Sequence, residues 1–257
     1  MRIFGLEFRE GILFLLRRDH WHDSAATAVE REPAAVGTDS AADRKTIGVL
    51  SLRLHHAHHL AEIMLPDLFF QLTRRIRDVI DGVAKPLGGV RSGGDGDRIH
   101  YLFSESAGRN PIFSAISCAN RINGHLAALE EQLKTDQGWL GQIRMNMGIS
   151  CGTDDPAKPH AGSSMELWIP GGALDQAVHL STMAANGETW ITKDAVARLP
   201  QKLINQIVLG VDRQGRFLRN FFSRLSDLQP DTAVNGVISE IDRLSVARIV
   251  EIEKPTP

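Results

Sequence analysis

The order in which strand and helix patterns follow one another along residues 46–225 is the feature that most constrains the fold. Alternating or continuous apolar stretches predict strands, and apolar residues three or four positions apart predict helices. Strands are predicted at 47–54, 88–92, 98–103, 143–149, 188–192, 208–211 and 217–223, and helices at 66–82, 112–133 and 174–185. With a further helix that the histidine run at residues 55–59 opens, this order predicts an α+β domain of ferredoxin-like βααββαβ type. Its helices are expected on one face of a mostly antiparallel sheet.

Composition is that of an ordinary globular protein and excludes several classes of function. The chain has 257 residues, of which 42% are hydrophobic and 23% charged, and this is enough to bury a real core. The net charge of −2 and the absence of a basic stripe argue against nucleic-acid binding. Cys118 and Cys151 lie on a predicted helix and strand, as reduced core residues do. No apolar run is long enough to span a membrane and no signal peptide is recognised, so we expect a cytoplasmic protein.

Residues outside the predicted domain are assigned to three segments. Residues 1–18 form an amphipathic N-terminal segment, residues 19–45 a linker, and residues 226–257 a C-terminal extension. The apolar positions of the first segment are Phe4, Phe8, Ile12 and Leu15, and the segment also carries four arginines. Such a segment packs on its own domain or on a partner, or it lies at a membrane surface as a peripheral anchor. Both interpretations stay open.

A run of small and apolar residues surrounds Asp175 and His179. It reads Gly171-Gly172-Ala173-Leu174-Asp175-Gln176-Ala177-Val178-His179-Leu180 and continues to Thr192. The run resembles, without a gap, the pattern G-x-x-V-N-x-A-A-R-L-x-x-x-A-x-x-G-x-x-x-x-S of class III adenylate/guanylate cyclase catalytic domains. The resemblance covers roughly residues 46–200. It implies that Asp175 and His179 replace the Asn and Arg that hold the reacting triphosphate.

The same resemblance assigns four further positions of the cyclase site. In the family, two aspartates hold divalent ions that activate the ribose hydroxyl and steady the triphosphate. Anchoring the alignment on Leu60-Ala61-Glu62 places Arg53 at the first aspartate, whereas Asp97 closes a glycine turn at the second. Gly93 stands where the family has a base-reading Lys, and Trp168 where it has a base-selecting Asp or Thr. Five of the six positions are therefore changed, and Asp97 alone is kept.

These losses predict a cyclase-homology domain that is degenerate at its active site. Active relatives build their sites at a dimer interface, so the resemblance implies a homodimer or a heterodimer with a regulatory or scaffolding role in signalling or assembly. No cofactor is expected, and Mg or Mn only if some nucleotide binding remains. One alternative is a partial subunit of an active adenylate/guanylate cyclase made with an intact partner. A competing resemblance joins residues 91–95 to the R-x-G-G-D-E-F turn of diguanylate cyclases, which would also be degenerate here.

A run of histidines supports another alternative, a metal or small-molecule sensor. In the run at residues 55–59, His55 lies about one helical turn from both His58 and His59 if the run opens a helix. Imidazoles at that spacing can share a zinc ion, and Glu62 or His100 is the obvious further ligand. The competing interpretation is a solvated helix start, or neutral histidines in a dimer groove.

Overall fold

The computed structural model describes residues 45–94, 96–106, 108–139, 141–154, 172–228 and 241–253. The predictions for residues 1–18, for most of the linker and for Trp168 lie outside the described residues. The strands are β1 (Lys45–Leu54), β2 (Gly89–Gly93), β3 (Arg98–Ser104), β4 (Met145–Asp154), β5 (Thr189–Thr192), β6 (Ile207–Arg213), β7 (Arg216–Arg219), β8 (Ser223–Arg224) and β9 (Ser245–Ile252). The α-helices are α1 (Ala57–Ile63), α2 (Pro66–Ala84), α3 (Pro111–Gln137), α4 (Ala173–Met183), α5 (Lys193–Ala197), α6 (Gln201–Ile204) and α7 (Leu225–Leu228).

The strands form one mixed sheet in the order β2-β3-β1-β4-β5-β9-β6-β7, with β8 paired to β9. The pairing of β4 with β5 is parallel, and the other pairings are antiparallel. The predicted α+β class with a mostly antiparallel sheet is therefore confirmed. Strand β1 is central because it is apolar on both faces, and Val49, Leu50 and Leu52 are fully buried.

Helices cover both faces of the sheet, so the prediction that they lie on one face is wrong. Helices α2 and α3 pack on the face that carries Leu50 and Leu52. Helix α4 packs on the opposite face, where Ala173 and Ala177 contact Ile47. A strand that carries buried apolar residues on both faces needs cover on both sides, and β1 is such a strand.

Helix α4 lies unusually close to β4 because Gly148 carries no side chain. A Cβ atom at Gly148 would stand 2.1 Å from the carbonyl oxygen of Ala177 and 2.7 Å from Cβ of Leu180. Nearby, the hydroxyl groups of Ser51 on β1 and Ser181 on α4 share a buried hydrogen bond of 2.9 Å. Together these contacts hold α4, and the positions Asp175 and His179 on it, against the middle of the sheet.

Two elements differ from the sequence prediction. Strand β9 lies between β5 and β6, although no strand was predicted there, so the fold continues into the segment predicted as a C-terminal extension. Helix α2 runs two residues past Gly82, and Leu68 in its predicted apolar stripe is 46% exposed rather than buried. Within the described ranges, no helix is both long and apolar enough to cross a bilayer.

Candidate active-site remnant

The two positions that the resemblance assigns to metal-binding aspartates lie side by side. Nε of Arg53 donates a hydrogen bond of 2.9 Å to Oδ2 of Asp97. The amide of Leu54 also donates to the carbonyl of Asp97 at 2.9 Å, which fixes the turn against the end of β1. Leu52 and Leu54 point into the core on the other face of β1. Of the candidate residues at the end of β1, Arg53 is therefore the one that faces Asp97.

This ion pair does not fit a divalent metal ion. Mg²⁺ and Mn²⁺ take oxygen ligands, whereas a guanidinium has only N–H donors and a positive charge. The side chains of Arg53 and Asp97 are 36% and 28% exposed, so the pair borders solvent at the edge of the fold. The cation of Arg53 already provides the counter-charge that a metal would provide to Asp97. The nearby Gly93 is exposed and adds no base-reading group.

Asp175 and His179, two further positions that the resemblance assigns to the site, lie on α4. Asp175 is exposed in the first turn of the helix, and His179, one turn later, is half-buried. Ala177, Leu180 and Ser181 turn toward the sheet instead. Among the described residues, no hydrogen bond or ion pair joins α4 to Arg53 or Asp97.

Asn146 of β4 binds the loop between α4 and β5, a role that the sequence analysis did not identify. Its Nδ2 donates to the carbonyl of Ala184 at 2.6 Å, and its Oδ1 accepts from the amide of Gly187 at 2.9 Å. These bonds fix the loop between α4 and β5 against β4. The signal was available in the sequence, because Asn146 is a polar residue between Met145 and Met147 and so faces the α4 side of the strand.

The histidine run does not converge on one point. His58 and His59 both approach Glu62, at 3.1 Å and 4.0 Å. The ring of His55 instead packs against His56 with centroids 3.7 Å apart, and its Nδ1 lies 3.4 Å from Nδ2 of Asn146. Across the described part of the chain, no group of three or more His, Cys, Asp or Glu residues is arranged to hold a metal ion.

The surroundings of His55 make the free energy of unfolding depend on pH. Burial lowers the pKa of His55 below 6.5, and the charges of His56 and Arg53 lower it further, against a hydrogen bond with Asn186 that raises it. Below pH 6.5 the unfolded chain therefore takes up a proton at His55 that the folded chain excludes. We expect the free energy of unfolding to fall as the pH drops through this range.

The measurement is urea unfolding of the native chain and of His55→Gln at about pH 7.5 and about pH 5.5. The variant should lose less stability on acidification than the native chain. His125→Gln, on an exposed position of α3, is the matched control and should behave as the native chain does. Equal acid sensitivity of His55→Gln and the native chain would contradict the assignment.

Comparison with solved structures identifies the fold. The chain superposes on the adenylyl cyclase CyaB from P. aeruginosa with a TM-score of 0.61 and 18% identity, over 83% of this chain and 98% of that one. It superposes on the guanylyl cyclase Cya2 with a TM-score of 0.55 and 15% identity, over 83% and 95%. A dimeric guanylyl cyclase domain of the RhoGC fusion protein from the aquatic fungus Blastocladiella emersonii gives 0.56 and 10% identity, over 81% and 98%.

These similarities show that the chain has the fold of adenylyl and guanylyl cyclase catalytic domains across about four-fifths of its length. No protein-family model matches the sequence, and no curated protein matches it either. At 10–18% identity the solved structures establish the fold alone. The resemblance found in the sequence is thus confirmed at the level of fold, and the chemistry has to be inferred from the residues of this chain.

Proposed function

We propose that this chain is a catalytically degenerate cyclase-fold protein that acts as a regulatory or scaffolding dimerisation module in signalling or assembly. The observation that carries the proposal is the ion pair between Arg53 and Asp97. In the cyclase resemblance these positions hold the two metal ions, and here a guanidinium and a carboxylate neutralise each other. The fold is retained while the metal-binding chemistry is replaced.

The changes at Asp175 and His179 also argue against catalysis. A carboxylate at Asp175 opposes a triphosphate, and His179 carries a positive charge only when it is protonated. Loss of one preorganised group that stabilises a transition state costs about 3–4 kcal/mol, which corresponds to 10²–10³-fold in rate. Several such losses in one site reduce turnover by this chain's own dimer to a negligible rate.

A dimer is the natural form for this role. One of the similar solved structures is a dimeric cyclase domain, and Asp175 and His179 lie on the accessible side of α4. We infer that this surface meets a partner, either a second copy of the chain or another protein. Residues 1–18 would add a docking segment for a partner or a membrane surface, and the setting we propose is cytoplasmic.

The proposal is tested by incubating the purified chain with ATP and with GTP in Mg²⁺ or Mn²⁺, and separating the products by chromatography. Light scattering on the same preparation reports the mass in solution. We expect no 3′,5′-cyclic nucleotide and a mass above that of one chain, alone or after addition of a partner. Cyclic product from the chain alone, abolished by Asp97→Asn, would overturn the proposed loss of catalysis.

A further inference from the structure

The junction between α1 and α2 exposes a cluster of apolar side chains. Ile63, Leu65, Leu68 and Phe70 are 64%, 70%, 46% and 66% exposed, and they are half of the large exposed hydrophobic residues in the described ranges. We call these four residues the α1–α2 patch. Soluble proteins rarely expose so many large apolar side chains within one short stretch unless the surface binds something. The patch lies on the α2–α3 side of the sheet, and α4 lies on the other side.

A groove of about 540 Å³ adjoins the patch. Its apolar walls come from α1, α2 and α3 and include Ile63, Met64, Leu68, Leu72, Leu133 and Trp139. Two polar residues of α2, Gln71 and Arg75, complete one side of the groove. The junction therefore offers an apolar hollow whose wall includes the exposed side chain of Leu68.

The charges of α2 show what kind of surface would pair with it. Asp67, Gln71 and Arg75 follow one another at i, i+4 spacing and so form a single ridge along the helix. All three side chains are exposed, and neither Asp67 nor Arg75 forms an ion pair with another described residue. The ridge is negative at one end, positive at the other and neutral at its centre. Such a ridge is complementary to a copy of itself that runs in the opposite direction.

We propose that α2 of a second copy of this chain packs antiparallel against this ridge, with a two-fold axis at Gln71. Asp67 and Arg75 are each four residues from Gln71, so the axis places Asp67 of each copy opposite Arg75 of the other. The axis also brings Leu68 of each copy to the apolar groove of the other, whereas Phe70 of each copy lies on the opposite flank of the contact. A parallel arrangement would set like charges together. A lipid surface would favour a one-signed basic face, which this ridge is not.

This contact goes beyond the proposed function, because it uses the side of the sheet opposite to α4. A chain with an interface at α4 and another at α2 can join two dimers or extend an assembly. The inference does not depend on the fate of catalysis. It depends on the apolar groove and on the order of the charges along α2.

Cross-linking at the axis gives the most direct test. In the full chain, Gln71→Cys should form a disulfide-linked dimer under mild oxidation, because residue 71 of one copy meets residue 71 of the other. Asp78→Cys is the matched control, since it is equally exposed on α2 but lies about 10 Å further along the helix from the axis. Equal cross-linking of both variants, or none with Gln71→Cys, would overturn the proposal.

Charge exchange provides a second test by analytical ultracentrifugation. Asp67→Arg and Arg75→Asp should each weaken self-association at least about tenfold, and the double variant should restore it. Within one copy the two positions are about 12 Å apart along the helix axis, so the restoration has to come from contacts between copies. Single variants that associate like the native chain, or a double variant that stays weak, would contradict an antiparallel α2 contact.

Discussion

Arg53→Asp is expected to create a divalent-metal site that stabilises the folded chain. The variant would set a second carboxylate against Asp97, whose Oδ2 atom lies 2.9 Å from Nε of Arg53 in the native chain. Two adjacent carboxylates repel each other, and Mn²⁺ or Mg²⁺ relieves the repulsion by binding their oxygens. At a metal concentration 100 times the dissociation constant, binding would add about 2.7 kcal/mol to the free energy of unfolding. Thermal unfolding with Mn²⁺ and with EDTA measures the difference.

The matched control is Arg53→Asn, which has nearly the same shape as Arg53→Asp and removes the same ion pair. It leaves Asp97 as the one carboxylate of the pair, so its melting temperature should not respond to Mn²⁺ as that of Arg53→Asp does. The native chain should respond as little as the control. If all three proteins show the same response to the metal, then Arg53 does not occupy the position of a metal ligand.

Gly148→Ala is expected to destabilise the fold strongly. The added methyl group would stand 2.1 Å from the carbonyl oxygen of Ala177 and 2.7 Å from the amide of Ser181, and both are backbone atoms of α4 that cannot rotate away. Helix α4 would have to move off β4, which would also weaken the buried hydrogen bond between Ser51 and Ser181. Overpacking of this kind costs about 1–3 kcal/mol and sometimes more. Urea unfolding measures the loss.

Gly124→Ala is the control for this prediction. Gly124 lies in α3, and a Cβ atom there meets nothing within 4 Å. Alanine is the better helix former by about 0.5–1 kcal/mol, so this variant should be at least as stable as the native chain. Similar stabilities for Gly148→Ala and Gly124→Ala would show that α4 does not approach β4 as closely as the structure indicates.

The elements with strong periodic patterns could be predicted from the sequence. Strand β4 alternates Met145, Met147 and Ile149 with polar or small residues, and all three are buried as the pattern requires. Helix α3 keeps its predicted apolar face from Ile112 to Leu133. These segments are long and their burial follows directly from spacing, so the local pattern and the tertiary structure agree.

The parts that depend on distant contacts could not be predicted. Strand β9 shows little alternation of apolar and polar residues. Its place between β5 and β6 is set by pairing with residues far away in the chain. Leu68 fits the apolar stripe of α2 but is exposed, because the helix begins beyond the edge of the core. The resemblance assigned Asp97 and Arg53 to the two metal positions, whereas their ion pair and the role of Asn146 needed the three-dimensional structure.

Calorimetric titration with ATP and GTP, in the presence of Mg²⁺ or Mn²⁺, measures whether the purified chain binds a nucleotide. Analysis of the same samples then shows whether a product forms. The ion pair at the positions that the resemblance assigns to metal ligands, together with the carboxylate at Asp175, predicts no metal-dependent binding and no cyclic product. Metal-dependent binding of a nucleotide together with formation of a 3′,5′-cyclic nucleotide would overturn the proposed loss of catalysis.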